Sequence, residues 1–324
     1  MKEEFAIETV CKVLEVSVSG FYSWRQRLEE PSDRVQTDER LQSQIQGIHE
    51  ESRGTYGSPR IHRELRHRGY RHSRKRVARL MSQSQIRGRC RRRFKPRTTD
   101  SRHAEPIAPN RLQDRPAPKR LNEVWVTDIT YVPVSSGWMY LTVVMDLCSR
   151  RVVGWCLQLE LTASLVLGAL RMALRHRQPE SGLIVHSDRG VQFACQAFRG
   201  VIKRNGLEAS MSRKANCYDN AAMESFFSSL KMELLYRQEL QSPEQTARDV
   251  FEYIETFYNP YRLHSSLDYL SPAQFEIGLR PQAEAAFPDG DRAVSGPSEA
   301  NHRSGTETCE GPPSGDVAGR ELRN

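Results

Sequence analysis

No stretch of the 324-residue chain is apolar for long enough to cross a membrane. None approaches the roughly 18 uninterrupted apolar residues that a spanning helix needs, and no signal-peptide pattern opens the sequence. The expectation is a soluble cytoplasmic protein. Cysteine is sparse and unpatterned. The seven thiols, Cys11, Cys90, Cys148, Cys156, Cys195, Cys217 and Cys309, are odd in number and contain no Cys-x-x-Cys, which argues for reduced thiols and against a disulfide framework or a cysteine zinc site. The histidines do not restore a metal reading, because the five-residue spacing of His62, His67 and His72 spreads them around a helix. Hydrophobic residues make up only 38%, low for one compact enzyme of this length. Part of the chain is therefore expected to be extended or disordered.

Acid is the other scarcity, and it is local. Between residues 53 and 103 fall 18 of the 48 Lys/Arg but only two of the 40 Asp/Glu, Glu64 and Asp100. The rest of the chain carries 30 bases against 38 acids, so the excess of positive charge is confined to one block. Such a block beside an acidic remainder suits a polyanionic partner held by one part of the molecule. Its own pattern is helical. Ser58-Pro59 reads as a helix start, Ile61 and Leu65 as a buried pair, and Gly69 as a stop. Ser73 then caps a second helix with Val77, Leu80 and Met81 inside and Arg74, Lys75, Arg76 and Arg79 outside. That is the look of a helix-turn-helix whose second helix enters a major groove. Arg87 to Arg97, including Arg91, Arg92 and Arg93, is too charged to fold alone and suits neutralisation of phosphates.

The organisation that follows has five parts: an N-terminal helical segment at 1–50, the basic module at 51–97, a proline-bearing linker at 98–120, an α/β region at 121–280 and a disordered tail at 281–324. Residues 5–28 read as two short helices broken at 15–17, either a helix-turn-helix or an ordinary hairpin. Residues 36–50 read as a packing helix. From 121 the period changes from helical to alternating, with three strands joined by short turns and then helix, strand, helix, strand, helix. An amphipathic helix is expected at 243–258.

Three acids stand out in that region. Asp128 interrupts Val124-Trp-Val-Thr-Asp-Ile-Thr-Tyr-Val-Pro-Val134, a strand that otherwise reads as core. Asp188 ends the apolar run after Gly182, and Glu224 sits on a helix whose Met223, Phe226, Phe227 and Leu230 form the apolar stripe. Asn220 and Lys231 share the polar side with Glu224. A carboxylate in a core strand is costly unless a cation meets it. Oxygen donors favour hard ions such as Mg²⁺, and two ions ~4 Å apart hold both oxygens of an in-line phosphoryl transfer.

The segments Trp125-Val-Thr-Asp128-Ile-Thr-Tyr131, His186-Ser-Asp188-Arg-Gly190 and Tyr218-Asp-Asn-Ala221 through Glu224 resemble the DDE core of insertion-sequence transposases. So does the closing Tyr258-Asn-Pro-Tyr-Arg-Leu-His264-Ser-Ser-Leu267, and 35 residues separate Asp188 from Glu224. The likeness runs over most of residues 5–280 and is to the group whose transposase is encoded in two overlapping frames. It implies an α/β fold, a ribonuclease-H-like integrase core preceded by small all-α helix-turn-helix DNA-binding modules. It implies a bacterial, nucleoid-associated DNA transposase that cleaves element ends and transfers the freed 3′-hydroxyl to another DNA phosphate, by copy-out through a circular intermediate. Two Mg²⁺ ions (Mn²⁺ substituting) are implied, Asp128 binding both, Asp188 one and Glu224 the other. The implied partners are double-stranded DNA at the terminal inverted repeats and the target, further copies of the chain on DNA, and an upstream-frame transposase protein. The expected DNA contacts are Arg74, Lys75, Arg76, Arg79, Arg91, Arg92, Arg93, Asn220 and Lys231. Residues 212–222 are expected to order on DNA. His186 is either a phosphate-orienting or a structural histidine, and Lys231 either a backbone contact or a solvated charge.

Overall fold

Alternating β-branched and aromatic residues build the central strand β1 (Val124–Val134) of the computed structural model, which describes residues 6–29, 32–89, 106–113, 115–212, 221–237 and 239–285. Gly137, at φ +126°, makes the tight turn into β2 (Gly137–Asp146), and β3 (Val152–Gln158) follows. With β4 (Ile184–Ser187) and β5 (Glu208–Met211) they form a five-stranded sheet in the order β3-β2-β1-β4-β5. β1 runs antiparallel to β2 and parallel to β4. The parallel step needs a crossover, and α6 (Ala163–Arg177) supplies it.

The two-residue period of the strands sorts their side chains into two cores. Trp125, Val144, Val153 and Val185 face α6 and α8 (Gln196–Arg204), which the short α7 (Val191–Ala194) precedes. Val126, Val132, Val143 and Val152 face the other way, against Met223, Phe226, Phe227 and Leu230 of α9 (Ala221–Glu233) and Val250 of α10 (Pro243–Phe251). Gly154 lets α6 approach closely: a Cβ there would lie 2.3 Å from the Ala169 carbonyl oxygen.

The helix expected unbroken over 243–258 is α-helical only to Phe251. Glu252–Tyr258 is π-helical, and the Asn259 N–H donates five residues back to the Ile254 carbonyl at 3.0 Å. Tyr253, Ile254, Phe257 and Tyr258 are buried within this stretch. Asn259 then clasps β3, its Oδ1 accepting from Val152 N and its Nδ2 donating to Val152 O, each at 3.0 Å. α11 (Pro272–Ala285) runs past residue 280, and its buried Glu276 accepts from Ser149, Arg151 and Arg177. The remainder of the tail, 286–324, lies outside the described residues.

Before the sheet come α1 (Ile7–Val13), α2 (Val18–Glu29), α3 (Asp33–Glu51), α4 (Ser58–His67) and α5 (Arg74–Gln83). Leu41, Ile45 and Ile48 of α3 share one apolar cluster with Ile61 and Leu65 of α4 and Val77, Leu80 and Met81 of α5. Ser73 caps α5 by accepting from Arg76 N at 3.2 Å, and Gly69 ends α4 at φ +86°. The start of α4 differs by one residue from the sequence reading: Gly57 is the N-cap and Ser58 makes no capping bond. Leu263, from beyond the π-helical stretch, completes this cluster. Tyr56 Oη donates to the Tyr261 carbonyl at 3.2 Å and accepts from Leu263 N at 2.8 Å, and Arg60 Nε donates to the Leu263 carbonyl at 3.1 Å. Residues 106–113 and 115–120 form no helix or strand, but Arg111 N donates to Ser210 Oγ at 2.9 Å and Leu112 packs on the sheet.

Candidate active site

Val126 is level with His186 across the parallel pair, so two residues on, Asp128 and Asp188 leave neighbouring chains at the same height. Paired strands run ~4.8 Å apart, and equal parity puts both carboxylates on the α9 side of the sheet. The two acids come from different local causes. Asp128 lies within β1 and its Oδ1 accepts from Ile129 N at 2.8 Å. Asp188 follows the last residue of β4, where the strand turns, and its Oδ1 accepts from Gly190 N at 2.9 Å. Glu224, in the first turn of α9, is exposed, whereas both aspartates are half-buried.

Their charges meet. The Asp128 carboxyl is pushed up to about 8, first by burial and then by the charge of Asp188; the Ile129 N–H opposes this, Glu224 adds to it, and Lys231 opposes it again. Burial holds Lys231 below its ordinary value while Asp128 raises it. Lys231 thus sits within electrostatic reach of the central carboxylate. The contrast with Asp146 is instructive. That acid is fully buried, yet it accepts from Asn122 N at 2.7 Å, Cys148 N at 2.9 Å and Ser149 N at 3.1 Å, which marks it as a turn-building carboxylate.

Three oxygen-donor side chains, two of whose charges bear on the third, fit a hard divalent cation, because such an ion offsets the burial and like charge that push the Asp128 carboxyl up. Among the described residues no three His, Cys, Asp or Glu side chains are already drawn together as a ligand cluster.

His186 is fully buried on the same face, with Nδ1 at 2.8 Å from Ser210 Oγ. Arg189 Nε donates to the Ser212 carbonyl at 2.8 Å. Of the expected DNA contacts, Arg74 and Lys75 stand exposed on α5. Arg76 and Arg79 are engaged by Asp38 of α3, at 2.7 and 2.6 Å. Arg91, Arg92, Arg93 and Asn220 lie outside the described residues, as does most of the 212–222 loop.

Sequence reasoning missed the group that fixes α9. Glu233, in its last turn, accepts from Arg262 Nε at 2.8 Å and Nη2 at 2.7 Å and from Tyr253 Oη at 2.8 Å, and Arg262 Nη2 also donates to Ser229 Oγ at 2.8 Å. The available signal was a lone arginine inside the closing Tyr258–Leu267 motif.

The antiparallel meander, the parallel extension with its α crossover, and paired aspartates beneath a helix bearing a glutamate define an integrase-core polynucleotidyl transferase of the DDE class. The integrase core domain family matches residues 118–217 and a second integrase core domain model matches 224–278, while an HTH-like domain matches 36–94. The chain is 44% identical over 266 residues to the insertion element IS600 uncharacterized 31 kDa protein of Shigella sonnei, covering 82% of this chain and 97% of that protein. It is 41% identical over 273 residues to the transposase InsF for insertion sequence IS3A of Escherichia coli, covering 84% and 94%. Among solved structures, the catalytic core domain of BIV integrase aligns at 18% identity and a TM-score of 0.39, over 51% of this chain and 99% of that one. The chain belongs to the IS3 family of insertion-sequence transposases. No helix among the described residues is long and apolar enough to cross a membrane.

Proposed function

We propose that the chain cuts DNA at the ends of an insertion sequence and joins the freed 3′-hydroxyl to a target phosphate, with Asp128, Asp188 and Glu224 as the catalytic carboxylates. The observation that carries this is the equal height of Asp128 and Asp188 on adjacent parallel strands, with α9 holding Glu224 and Lys231 over the same face. Two Mg²⁺ ions, or Mn²⁺ in their place, would be held with Asp128 shared between them, Asp188 on one and Glu224 on the other. Ions held by these residues would supply Lewis-acid chemistry to a phosphoryl transfer. The chain's own residues do the rest. Half-burial of Asp128 and Asp188 limits water around the reacting phosphate. Lys231 balances the carboxylates and approaches the DNA backbone, and Asn220 is a further DNA contact. Exposed Arg74 and Lys75 on α5 meet the duplex, and Arg76, Arg79, Arg91, Arg92 and Arg93 add charge to it. The chain acts on DNA in the cytoplasm as an oligomer, with an upstream-frame protein as a further partner.

Incubating the protein with labelled element-end duplex in Mg²⁺ or EDTA tests the reading. Mg²⁺-dependent nicking is expected, and Asp128→Asn is expected to abolish it while leaving duplex retention intact. Nicking that survives the substitution would overturn the assignment of roles.

A further inference from the structure

A cleft of about 1130 Å³ separates the helical module from the C-terminal end of α9. His49 of α3 and Arg87 and Arg89, which follow α5, line one side; Met232 of α9 and Tyr236 and Arg237 of the 3-10 turn after it line the other. No acidic side chain lines it among the described residues. Arg87 and Arg89 are exposed and have no ion-pair partner among the described residues. Arg237 is anchored by a hydrogen bond from Nη1 to the Arg53 carbonyl. Burial, then the charges of Arg89 and Arg53, holds its guanidinium below the ordinary value. Arg53 is matched by Glu252 at 2.7 Å, so the unmatched charge belongs to Arg87, Arg89 and Arg237.

Guanidinium groups gathered without acids repel one another in the free protein, and a polyanion relieves that repulsion. The space exceeds the roughly 300–1,000 Å³ typical of a small-molecule pocket, which favours a length of polymer over a single small anion. Tyr236, 53% exposed, adds a hydroxyl of the kind that donates to phosphate oxygens. The cleft also has a fixed relation to the chemistry. Met232 and Glu224 share α9, and at ~1.5 Å per residue the stretch between them is about 12 Å, or three to four base-pair steps of ~3.4 Å.

From these observations we infer that the cleft is a seat for the phosphate backbone of duplex DNA, separate from the exposed face of α5, carrying the strand from the helical module toward the carboxylates. The inference rests on the transposase reading and adds to it a specific path, the residue Arg237, and a place on that path for Arg87 and Arg89.

The test uses the full chain and a fluorescent 40-base-pair duplex of arbitrary sequence, with affinity measured across salt concentrations. Each lost phosphate contact lowers the slope of log K against log salt by about 0.9. Arg87→Ala with Arg89→Ala is expected to lower it by about 1.8 and to weaken binding at low salt, with an unchanged melting temperature. Adding Arg237→Ala removes about one more; because Arg237 also ties down Arg53, its melting temperature is read in parallel and the first pair of substitutions decides the matter. Wild-type binding with the same slope and the same affinity in the double variant overturns the cleft alone. A wild-type chain that fails to hold duplex at low salt overturns the transposase reading along with it.

Discussion

Replacing Arg262 by methionine is the perturbation whose consequence is most sharply set by the structure. The Arg262 and Glu233 side chains are 5% and 7% exposed, and the guanidinium supplies two of the three hydrogen bonds that Glu233 receives. Removing one partner of a buried pair leaves an uncompensated charge and costs about 3–5 kcal/mol. At about 2–4 °C per kcal/mol for a protein of this size, the melting temperature should fall by roughly 6–20 °C. The pH dependence gives a second, independent reading. In the intact protein burial pushes Glu233 up, but the bonds and charge of Arg262, with Tyr253 and Arg60, outweigh it and hold the carboxyl below its usual value. Its stabilising contribution is therefore present above the free carboxylate pKa and is lost as pH falls through the lower folded value. Without Arg262 the burial effect, the largest of these influences, is opposed only by the Tyr253 bond and the Arg60 charge, so the carboxyl is pushed up and the sign reverses: the variant regains stability as pH falls. Thermal melts at pH 7.5 and pH 5 should show the gap between the two proteins narrowing at the lower pH. Adding Glu233→Gln, which keeps an acceptor for Tyr253 and removes the charge, should recover at least half of the loss. A drop below about 1 kcal/mol, or a gap that widens on acidification, would refute the reasoning. Because Glu233 ends the helix that begins near Glu224, nicking should fall with stability and return in the double variant.

Two further outcomes follow from particular contacts. Gly154→Ala drives a Cβ to 2.3 Å from the Ala169 carbonyl oxygen and 2.6 Å from the Ala173 nitrogen, so α6 must move off β3. A loss of about 1–3 kcal/mol in a urea titration is expected, and unchanged stability would contradict the close approach. Asp38→Asn releases Arg76 and Arg79 from the carboxylate that engages both. Non-specific duplex affinity should rise with a steeper salt dependence, and an unchanged slope would mean that these arginines do not reach phosphate.

Where neighbours in sequence decide conformation, the chain was legible. Ser73 and Gly69 bounded α5 and α4, the switch from helical to alternating period marked the sheet, and the Asp128 strand, Asp188 strand end and Glu224 helix all formed. The legibility failed where two elements compete for a group. Arg76 and Arg79 look free when few acids lie near them in sequence, yet Asp38, 41 positions from Arg79, engages both. The helix at 243–258 read as a single amphipathic run, but its second half, Glu252–Tyr258, is π-helical, a difference of backbone winding that the apolar spacing does not reveal.

By itself, the sequence determined which residues carry charge, the period of most helices and strands, and that three acids fall at strand, strand end and helix. Those are local matters, settled by backbone geometry and by the cost of burying a carboxylate. Only the tertiary structure decided that Asp128 and Asp188 share a height, that Arg262 locks the end of α9 through Glu233, and that Tyr56 meets Leu263, 207 residues away. Such pairings depend on how whole faces pack, and no short window of sequence contains both partners.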